Sequence, residues 1–423
     1  MTREKEELTF VQALAIGLGN IIGAGIFVMA GASVSEAGPS AILAFLITAA
    51  YAVTIGLNSA ELASVFPNTE GGVYSYALLT LGETIGFLVG FFRVVSYAIS
   101  GAATALGFSG YLVSMGLPEA LYFPLAGALI VVLGVIESRG LKLTSEIETA
   151  LVILSVIGLI VFSVAVISIS GFRPENFTPF MPNGVYGLFT ASNIAFFAYA
   201  GFNTIANLTP NVKNGERTVP RAIVASIAIS AILYIFVVFS MIDGLYWTKY
   251  GQASDPLALV LTSIRAPLPL IYFIDLVSVL STVSVTLSII VSGERTAKQM
   301  AMDGLLPPVF SRRSTLVVTA IMLASLSLGN VEAIALVSNF GLVLSYMLSG
   351  IEVWVARRRG LRGVFRSPGF PIVHIISVAM SAIFLASLGP QSLAVGVVTL
   401  LIALAIHSVH KERKSALKTS GNP

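Results

Sequence analysis

The feature that most constrains this chain is a series of long apolar segments that are almost free of charged residues. About 20 consecutive apolar residues cross the hydrocarbon core of a bilayer as a helix. Twelve segments are long enough, with approximate ranges 9–35, 38–65, 83–114, 120–137, 147–170, 184–210, 220–244, 268–303, 313–329, 331–356, 372–388 and 391–409. Because the segments are continuously apolar rather than alternating, they favour helices over strands. We predict an all-α integral membrane protein with about 12 transmembrane helices.

The composition agrees with lipid as the surrounding solvent. Only 11% of the 423 residues are charged, against about one quarter in a typical soluble domain. The chain has no cysteine, and its three histidines lie near the C-terminal end without the spacing of a metal site. No phosphate-binding loop and no paired acid, base and nucleophile are found. We therefore expect no enzyme activity, no metal, no cofactor and no nucleic-acid partner.

Lysine and arginine residues are distributed unequally between the loops on the two sides of the predicted membrane. Twenty of the 24 lysines and arginines fall on the side of the N-terminus, whereas Arg173, Lys249 and Arg265 fall on the opposite side. The remaining one, Arg93, lies within the third segment. Since Lys and Arg are enriched in cytoplasmic loops, we predict a multi-pass protein of the cell membrane with both termini in the cytoplasm.

Two segments contain residues that interrupt a helix. The first is "LGNIIGAGIF" at residues 18–27, and the second is "FFAYAGFN" at residues 196–203. Taken alone, the first is also explained by helix packing, because Gly19 and Gly23 form a G-x-x-x-G pair. The second interruption lies five segments later, so the two occupy corresponding positions of inverted halves. Such a pair is typical of the binding site of a secondary transporter.

Four motifs in this order resemble those of the amino acid–polyamine–organocation (APC) superfamily. They are "GNIIGAGIF", "FPNTEGGVYSYA", "FFAYAGFNTIANLTPNVKNGERTVPRAI" and "AKQMAMDGLLPPVFS". The resemblance covers about residues 9–410. It implies a LeuT-type fold, in which a 5+5 inverted repeat with broken helices 1 and 6 is followed by two more helices. On that basis we divide the chain into a transporter domain at 1–410, with repeats at about 9–170 and 184–356 and extra helices at 372–409, and a cytoplasmic tail at 411–423.

The resemblance also implies the activity and the residues that perform it. The family carries amino acids or related amines by alternating access. Backbone N–H groups after the first interruption would bind the substrate carboxylate, and carbonyls at the second would bind its ammonium. The substrate-binding residues carried over are Ile22, Gly23, Ala24, Gly25, Phe197, Ala198, Ala200 and Gly201.

Three residues are candidates for a gate. They are Phe197, which aligns with an aromatic residue that covers the substrate, together with Arg93 and Asn203. A charge within the membrane is a functional hypothesis by default because its insertion is costly. Arg93 would close the inner side or repel cationic substrates. The alternative is an arginine that extends to the membrane surface or pairs with Glu61.

The chain departs from many proton-coupled relatives at the position of a helix 5 lysine, where it has Ser155. The resemblance implies a candidate ion site at Ser284 and Ser288 of the eighth segment, because hydroxyls of helix 8 bind sodium in sodium-coupled relatives of this fold. The alternative role of these two serines is helix packing. The coupling ion, sodium or proton, is left open. Glu61, Asp275 and Glu294 are the candidates for a proton. We expect Asp275 to be solvated or paired, and Glu294 and Glu352 to lie at the interface.

The substrate side chain is constrained only by the expected pocket lining. This lining is small and largely apolar and comprises Ser96, Ala98, Ser100, Ile289 and Ser338. We therefore favour a neutral amino acid. Two other functions stay open, a membrane amino acid sensor that does not transport and an exchanger of polyamines or cationic amino acids. The expected partners are the small-molecule substrate and the bilayer, and the sequence leaves the oligomeric state open.

Overall fold

The computed structural model describes residues 7–23, 25–69, 72–140, 145–251 and 253–419, and within these the side chains of residues 145, 203, 207 and 409–419 are not described. These ranges are helical apart from turns, loops and one isolated parallel bridge between Leu8 and Val212. The amide of Leu8 donates to the carbonyl of Asn211 at 2.8 Å, and that of Lys213 donates to the carbonyl of Leu8 at 2.9 Å. The segment before the first helix is thus tied to the chain that follows the second interruption.

The N-terminal half contains seven α-helices and one π-helix. In order they are α1 (Phe10–Ile21), the π-helix (Gly25–Met29), α2 (Ala30–Ala37), α3 (Ala41–Val65), α4 (Val73–Leu81), α5 (Glu83–Ser114), α6 (Tyr122–Ser138) and α7 (Ser145–Ser170). A capping box begins α1, since the Thr9 hydroxyl accepts the Gln12 amide and the Gln12 side chain accepts the Thr9 amide. This arrangement satisfies amides that have no partner inside the helix.

The C-terminal half contains eight α-helices and the second interruption. In order they are α8 (Gly184–Tyr199), two 3-10 segments (Ala200–Thr204 and Ala206–Asn211), α9 (Gly215–Gly244), α10 (Pro256–Ser263), α11 (Leu268–Met302), α12 (Val309–Ser325), α13 (Val331–Arg358), α14 (Ile372–Ala386) and α15 (Pro390–Thr419). Both interruptions predicted from the sequence are therefore present as departures from the α-helix.

Ten stretches within the described ranges are long and apolar enough to cross a bilayer. The first, Phe10–Val65, has 56 residues, or about 84 Å at 1.5 Å per residue, which is more than twice the hydrocarbon thickness of about 30 Å. It contains the π-helix and a 3-10 turn at Gly38–Ser40. The apolar helix α14 is shorter than the ten. The all-helical class is confirmed, whereas twelve spans and the repeat stay predictions.

The outer surface of several helices is apolar, as contact with lipid requires. Val132 of α6 is 55% exposed, Ile153 of α7 is 55% exposed and Leu401 of α15 is 60% exposed. An apolar surface of this kind in water would favour association. The polar groups are instead gathered inside, where α5 packs along α11 and α13, and α1 packs against α9 and α7. The two interrupted helices consequently lie at the centre.

Two helices extend beyond the approximate apolar segments predicted for them. The segment predicted from about residue 220 lies in α9, which begins at Gly215 because the polar turn before Pro220 is helical too. The segment predicted at 391–409 agrees with the candidate span Pro390–Ser408, and its helix α15 continues to Thr419. The short helix α10 lies between α9 and α11, and Leu257 and Leu261 on it are fully buried. Hydropathy locates the membrane core and carries no information on how far a helix extends beyond it.

Candidate substrate site

The two interruptions contact each other through their backbones. A Cβ atom added to Gly201 would overlap the carbonyl group of Asn20, and one added to Gly25 would overlap the backbone of Ala198. Backbone atoms cannot move aside as a flexible side chain can. Glycine is therefore required at both positions for this close approach.

Gly23 has a different surrounding from the one predicted. A Cβ atom there would overlap the side chain of Val285 on α11, and Gly23 itself is buried. Its small size thus lets α11 approach the first interruption. Ala24, also predicted to bind substrate, lies outside the described residues.

Tyrosine hydroxyls bind the carbonyls that the interruptions free. The hydroxyl of Tyr234 on α9 donates to the carbonyl of Ile21 at 2.6 Å and approaches that of Ala198 at 3.2 Å. The hydroxyl of Tyr346 on α13 donates to the carbonyl of Ala200 at 3.3 Å. Backbone polar groups at membrane depth need a partner within the protein. These tyrosines supply it for both interrupted helices.

A third tyrosine forms a hydrogen bond with the backbone of the π-helix. The hydroxyl of Tyr111 on α5 donates to the carbonyl of Phe27. Our sequence analysis missed all three tyrosines. Their signal was the residue type itself, because a tyrosine buried in an apolar helix still needs a hydrogen-bond partner for its hydroxyl.

These contacts bear on how an ammonium group would be bound. The carbonyls of Ala198 and Ala200, both predicted ammonium ligands, already accept tyrosine hydroxyls in this conformation. A carbonyl oxygen has two lone pairs, so each can accept a second donor. The ammonium would join these tyrosines at the carbonyls rather than fill an empty site.

A central cavity lies beside the two interruptions. Its lining residues are Asn20, Ile21, Gly25, Tyr97, Ser100, Thr104, Phe197, Ala200, Gly201, Thr204, Val285, Ser288, Ile289, Ser292 and Leu342. No charged side chain is among the described residues that line it. The centre of a water molecule has about 50 Å³ in which to move, which is room for a few waters.

The cavity brings together part of the predicted site. Seven residues singled out in the sequence line it, namely Gly25, Ser100, Phe197, Ala200, Gly201, Ser288 and Ile289. Seven others do not, namely Ile22, Gly23, Ser96, Ala98, Ala198, Ser284 and Ser338. The lining residues that the sequence analysis missed include Asn20, Tyr97, Thr104, Val285 and Leu342. That the predicted residues of this cavity bind substrate stays a prediction.

Arg93 is held inside the protein, beside the cavity lining. It is 3% exposed, and its guanidinium carbon lies 4.8 Å from the centre of the Tyr97 ring and 5.0 Å from that of Tyr346. It also donates to the hydroxyl of Tyr97. The two alternatives, that Arg93 extends to the membrane surface or that it pairs with Glu61, are wrong. Arg93 is buried, and Glu61 is instead paired with Arg357, with 2.7 Å between Nε and Oε1.

The remaining predicted gate residues are placed as follows. Phe197 lines the cavity and is 9% exposed. The side chain of Asn203 lies outside the described part of the chain.

The other polar residues singled out within the helices have specific surroundings. The hydroxyls of Ser155 on α7 and Ser281 on α11 lie 2.6 Å apart, so Ser155 joins the two helices. Asp275 and Glu352 are fully buried, and none of their carboxylate oxygens has a hydrogen-bond partner among the described residues. The expectations of a solvated or paired Asp275 and an interfacial Glu352 were therefore wrong.

The short helix α4 lies between α3 and α5 and makes a polar contact with the end of α11. The hydroxyl of Tyr74 on α4 donates to the carboxylate of Asp303, which follows α11, at 2.8 Å. Burial, and after it this carboxylate, raises the pKa of Tyr74 above its ordinary value. The phenol therefore stays protonated and keeps its donor role.

The fold and the cavity define a class, a multi-pass membrane protein with a central cavity between two interrupted helices. Residues 8–406 match the model of the amino acid permease family. The chain belongs to this family, within the APC superfamily that the motifs indicated. It is 28% identical to the branched-chain amino acid permease BcaP of Bacillus subtilis (strain 168), over 98% of this chain and 94% of that one.

Two further relatives show the range of the family. The methylthioribose transporter of Bacillus subtilis (strain 168) is 27% identical over 95% of this chain and 92% of its own. Cationic amino acid transporter 3, mitochondrial, of Arabidopsis thaliana is 31% identical over 72% of this chain and 53% of its own. Transport is the activity that these names share, and the family and two of the three relatives are named for amino acids.

Proposed function

We propose that this permease is a secondary transporter that carries neutral, aliphatic amino acids by alternating access. The observation that carries the proposal is the lining of the central cavity. Apolar side chains, including Val285, Ile289 and Leu342, lie beside the freed backbone of the two interruptions. The aliphatic side chain of a substrate would contact the apolar side chains of the cavity, and its charged amino and carboxylate groups would bind the freed backbone.

The binding mode follows from the chemistry of the two interruptions. N–H groups that begin the half-helix at Gly25 would bind the carboxylate, since a helix N-terminus is electropositive. The ammonium would lie near the carbonyls of Ala198 and Ala200. Phe197 would cover the bound substrate. No side-chain charge is needed for this arrangement.

The wider architecture is part of the proposal. Twelve spans would form a 5+5 inverted repeat with two further helices, since the interruptions lie five predicted spans apart. Both termini would lie in the cytoplasm of a cell-membrane protein, because twenty lysines and arginines share that side. The small cavity represents a closed conformation, which would open to each side in turn.

The side-chain preference rests on charge. A dicationic substrate would find no carboxylate among the described lining residues, and Arg93 lies just behind Tyr97. Two like charges 4 Å apart repel by about 4 kcal/mol at an effective dielectric constant near 20. Since two relatives bear the name branched-chain amino acid permease, leucine, isoleucine and valine are the first candidates.

Uptake of labelled L-leucine by proteoliposomes that contain the purified full chain tests the proposal. Unlabelled isoleucine and valine should compete, whereas arginine and putrescine should not. Strong competition by arginine or putrescine would favour the exchanger of cationic substrates instead. Competition by methylthioribose alone would indicate that the substrate is a sugar thioether rather than an amino acid.

A thermal-shift measurement separates transport from sensing. A ligand that binds the folded protein raises its stability with concentration. Stabilisation by leucine together with uptake supports a carrier. Stabilisation without any uptake or exchange would indicate the sensor.

A further inference from the structure

Glu352 is a buried carboxyl group without a partner in the half of the bundle that we assign to the cytoplasm. It lies on α13 and is fully buried, and neither of its oxygens has a hydrogen-bond partner among the described residues. Glu61 offers a contrast in the same half, because it accepts two hydrogen bonds from Arg357 and one from the Ser367 amide. An isolated buried carboxylate is so costly that such a group normally takes up a proton.

Arg93 lies on α5, which packs along α13, but it is bound elsewhere. Arg93 and Glu352 interact electrostatically, yet no hydrogen bond joins them. The guanidinium instead contacts the rings of Tyr97 and Tyr346 and donates to the Tyr97 hydroxyl. Its Nη1 nitrogen is buried and has no partner among the described residues. The arginine thus keeps an unused donor beside the unpartnered acid.

A third polar group on a neighbouring helix is the hydroxyl of Tyr76 on α4. It is buried beside Thr69 and interacts electrostatically with Glu352. Three helices that pack on one another, α4, α5 and α13, therefore each carry a buried polar side chain in this region. This pattern is expected where the partners change between two conformations.

The other helices packed on α13 do not neutralise Glu352. Their titratable or charged groups have other neighbours. His374 of α14 contacts Asn58 and Ser367, His407 of α15 contacts Thr84, Glu61 of α3 pairs with Arg357, and Tyr199 of α8 packs on Tyr234. Arg93 is thus the nearby cation available to compensate an ionised Glu352.

We propose that Glu352 binds the proton that couples transport, and that Arg93 expels it when the inner side opens. In the conformation described here Glu352 is the neutral acid and Arg93 is held by the two tyrosines. Tyr97 lines the cavity, and Tyr346 donates to the Ala200 carbonyl at the interruption. Substrate and proton therefore act on the same pair of tyrosines.

The release step is balanced in charge and atoms. A shift of α13 along α5 moves the Tyr346 ring away from Arg93 and brings Glu352, which is on the same helix as Tyr346, toward the guanidinium. The guanidinium pairs with Glu352, the O–H bond of the acid breaks, and the proton passes to water on the inner side. No residue other than Glu352 changes its protonation. This coupling needs no lysine in α7, where Ser155 stands.

The inference rests on the proposed transport of leucine and is tested in the same proteoliposomes. An inward proton gradient should drive accumulation of labelled leucine by the wild-type protein. Glu352→Gln, which holds no exchangeable acid proton, should lose this stimulation while retaining leucine counterflow, which needs no net proton movement. Glu352→Asp should keep stimulation, with a shifted pH for half-maximal uptake.

Glu332→Gln is the matched control. Glu332 is a half-buried carboxylate in the first turn of α13, at the opposite end of this helix from Glu352. Its variant should respond to the gradient as the wild type does.

Three results would overturn the inference. They are normal stimulation of Glu352→Gln, loss of stimulation in Glu352→Asp, and wild-type leucine uptake that ignores the proton gradient. In the last case the proposed function stands without the inference. If the wild type neither binds nor exchanges leucine, the proposed function fails and takes the inference with it.

Discussion

The hydroxyl of Tyr234 donates to the carbonyl of Ile21, where the first interrupted helix ends, at 2.6 Å. The same hydroxyl lies 3.2 Å from the carbonyl of Ala198 on the second interrupted helix. One side chain from α9 therefore binds both interruptions. The unwound backbone is stabilised by its neighbours, which is the condition for irregular structure at membrane depth.

We expect Tyr234→Phe to destabilise the protein and impair transport. The change leaves the Ile21 carbonyl buried without a donor, and an unsatisfied buried group costs about 1–3 kcal/mol. The measurement is the thermal unfolding midpoint in detergent, together with leucine uptake. An unchanged midpoint and unchanged uptake would show that the hydrogen bond carries little free energy.

Tyr199→Phe is the matched control for this variant. Tyr199 packs on Tyr234 with ring centres 5.1 Å apart, and its own hydroxyl is buried without a partner among the described residues. Removal of that hydroxyl breaks no described hydrogen bond. We expect an unchanged or higher unfolding midpoint, so a fall as large as that of Tyr234→Phe would point to ring packing instead.

Substitution of the two contact glycines should abolish binding before it abolishes folding. Gly25→Ala and Gly201→Ala would each force backbones apart at the cavity. We expect insertion into the membrane to persist while the thermal shift by leucine disappears. Bulkier residues at Gly23, Gly25 or Gly201 should have at least this effect, and a Gly25→Leu protein with normal transport would contradict the role of the interruptions.

Gly127→Ala provides the comparison for an ordinary helical glycine. It lies in α6, and an added Cβ atom would approach only Leu323, at 3.9 Å. Alanine is favoured over glycine within a helix by roughly 0.5–1 kcal/mol. We expect normal binding of leucine and equal or slightly greater stability.

The main course of this fold could be predicted from local sequence. Long apolar runs located the membrane helices, and glycines with a neighbouring asparagine located both interruptions. Boundaries beyond the apolar core were missed, as at Gly215, because a helix continues wherever its backbone hydrogen bonds continue. Those residues are polar and give no hydropathy signal.

The candidate site was harder to predict from the sequence, since it depends on contacts between distant segments. The contact of Gly23 with Val285 of α11, for example, gave no signal in the local sequence, and the role of Gly23 in binding substrate stays a prediction. The burial of Glu352 and the tyrosine contacts of Arg93 likewise depend on which faces of α5 and α13 meet. Helical periodicity is a weak guide here, because nearly every face of these helices is apolar.

We expect leucine uptake to be independent of sodium. Ser288 lines the cavity, but Ser284, its predicted partner in an ion site, does not. Replacement of sodium by choline on both sides of the proteoliposome membrane should leave the initial rate unchanged, and Ser288→Ala should respond to choline as the wild type does. A strict sodium requirement that Ser288→Ala removes would establish the sodium site and argue against coupling by protons.

The ion pair between Arg357 and Glu61 should be essential to the stability of the inner end of α13. Arg357→Ala leaves Glu61 buried without its cation, and breaking a buried pair in this way costs about 3–5 kcal/mol. Its neighbour Arg358 is exposed and contacts only the ring of Trp354, at 5.3 Å, in the contacts described for its side chain. Arg358→Ala should therefore lower the unfolding midpoint far less, and the double variant Arg357→Ala with Glu61→Gln should recover part of the loss, because no buried charge remains unpaired. Equal midpoints for the two single variants would mean that the pair is hydrated and contributes little.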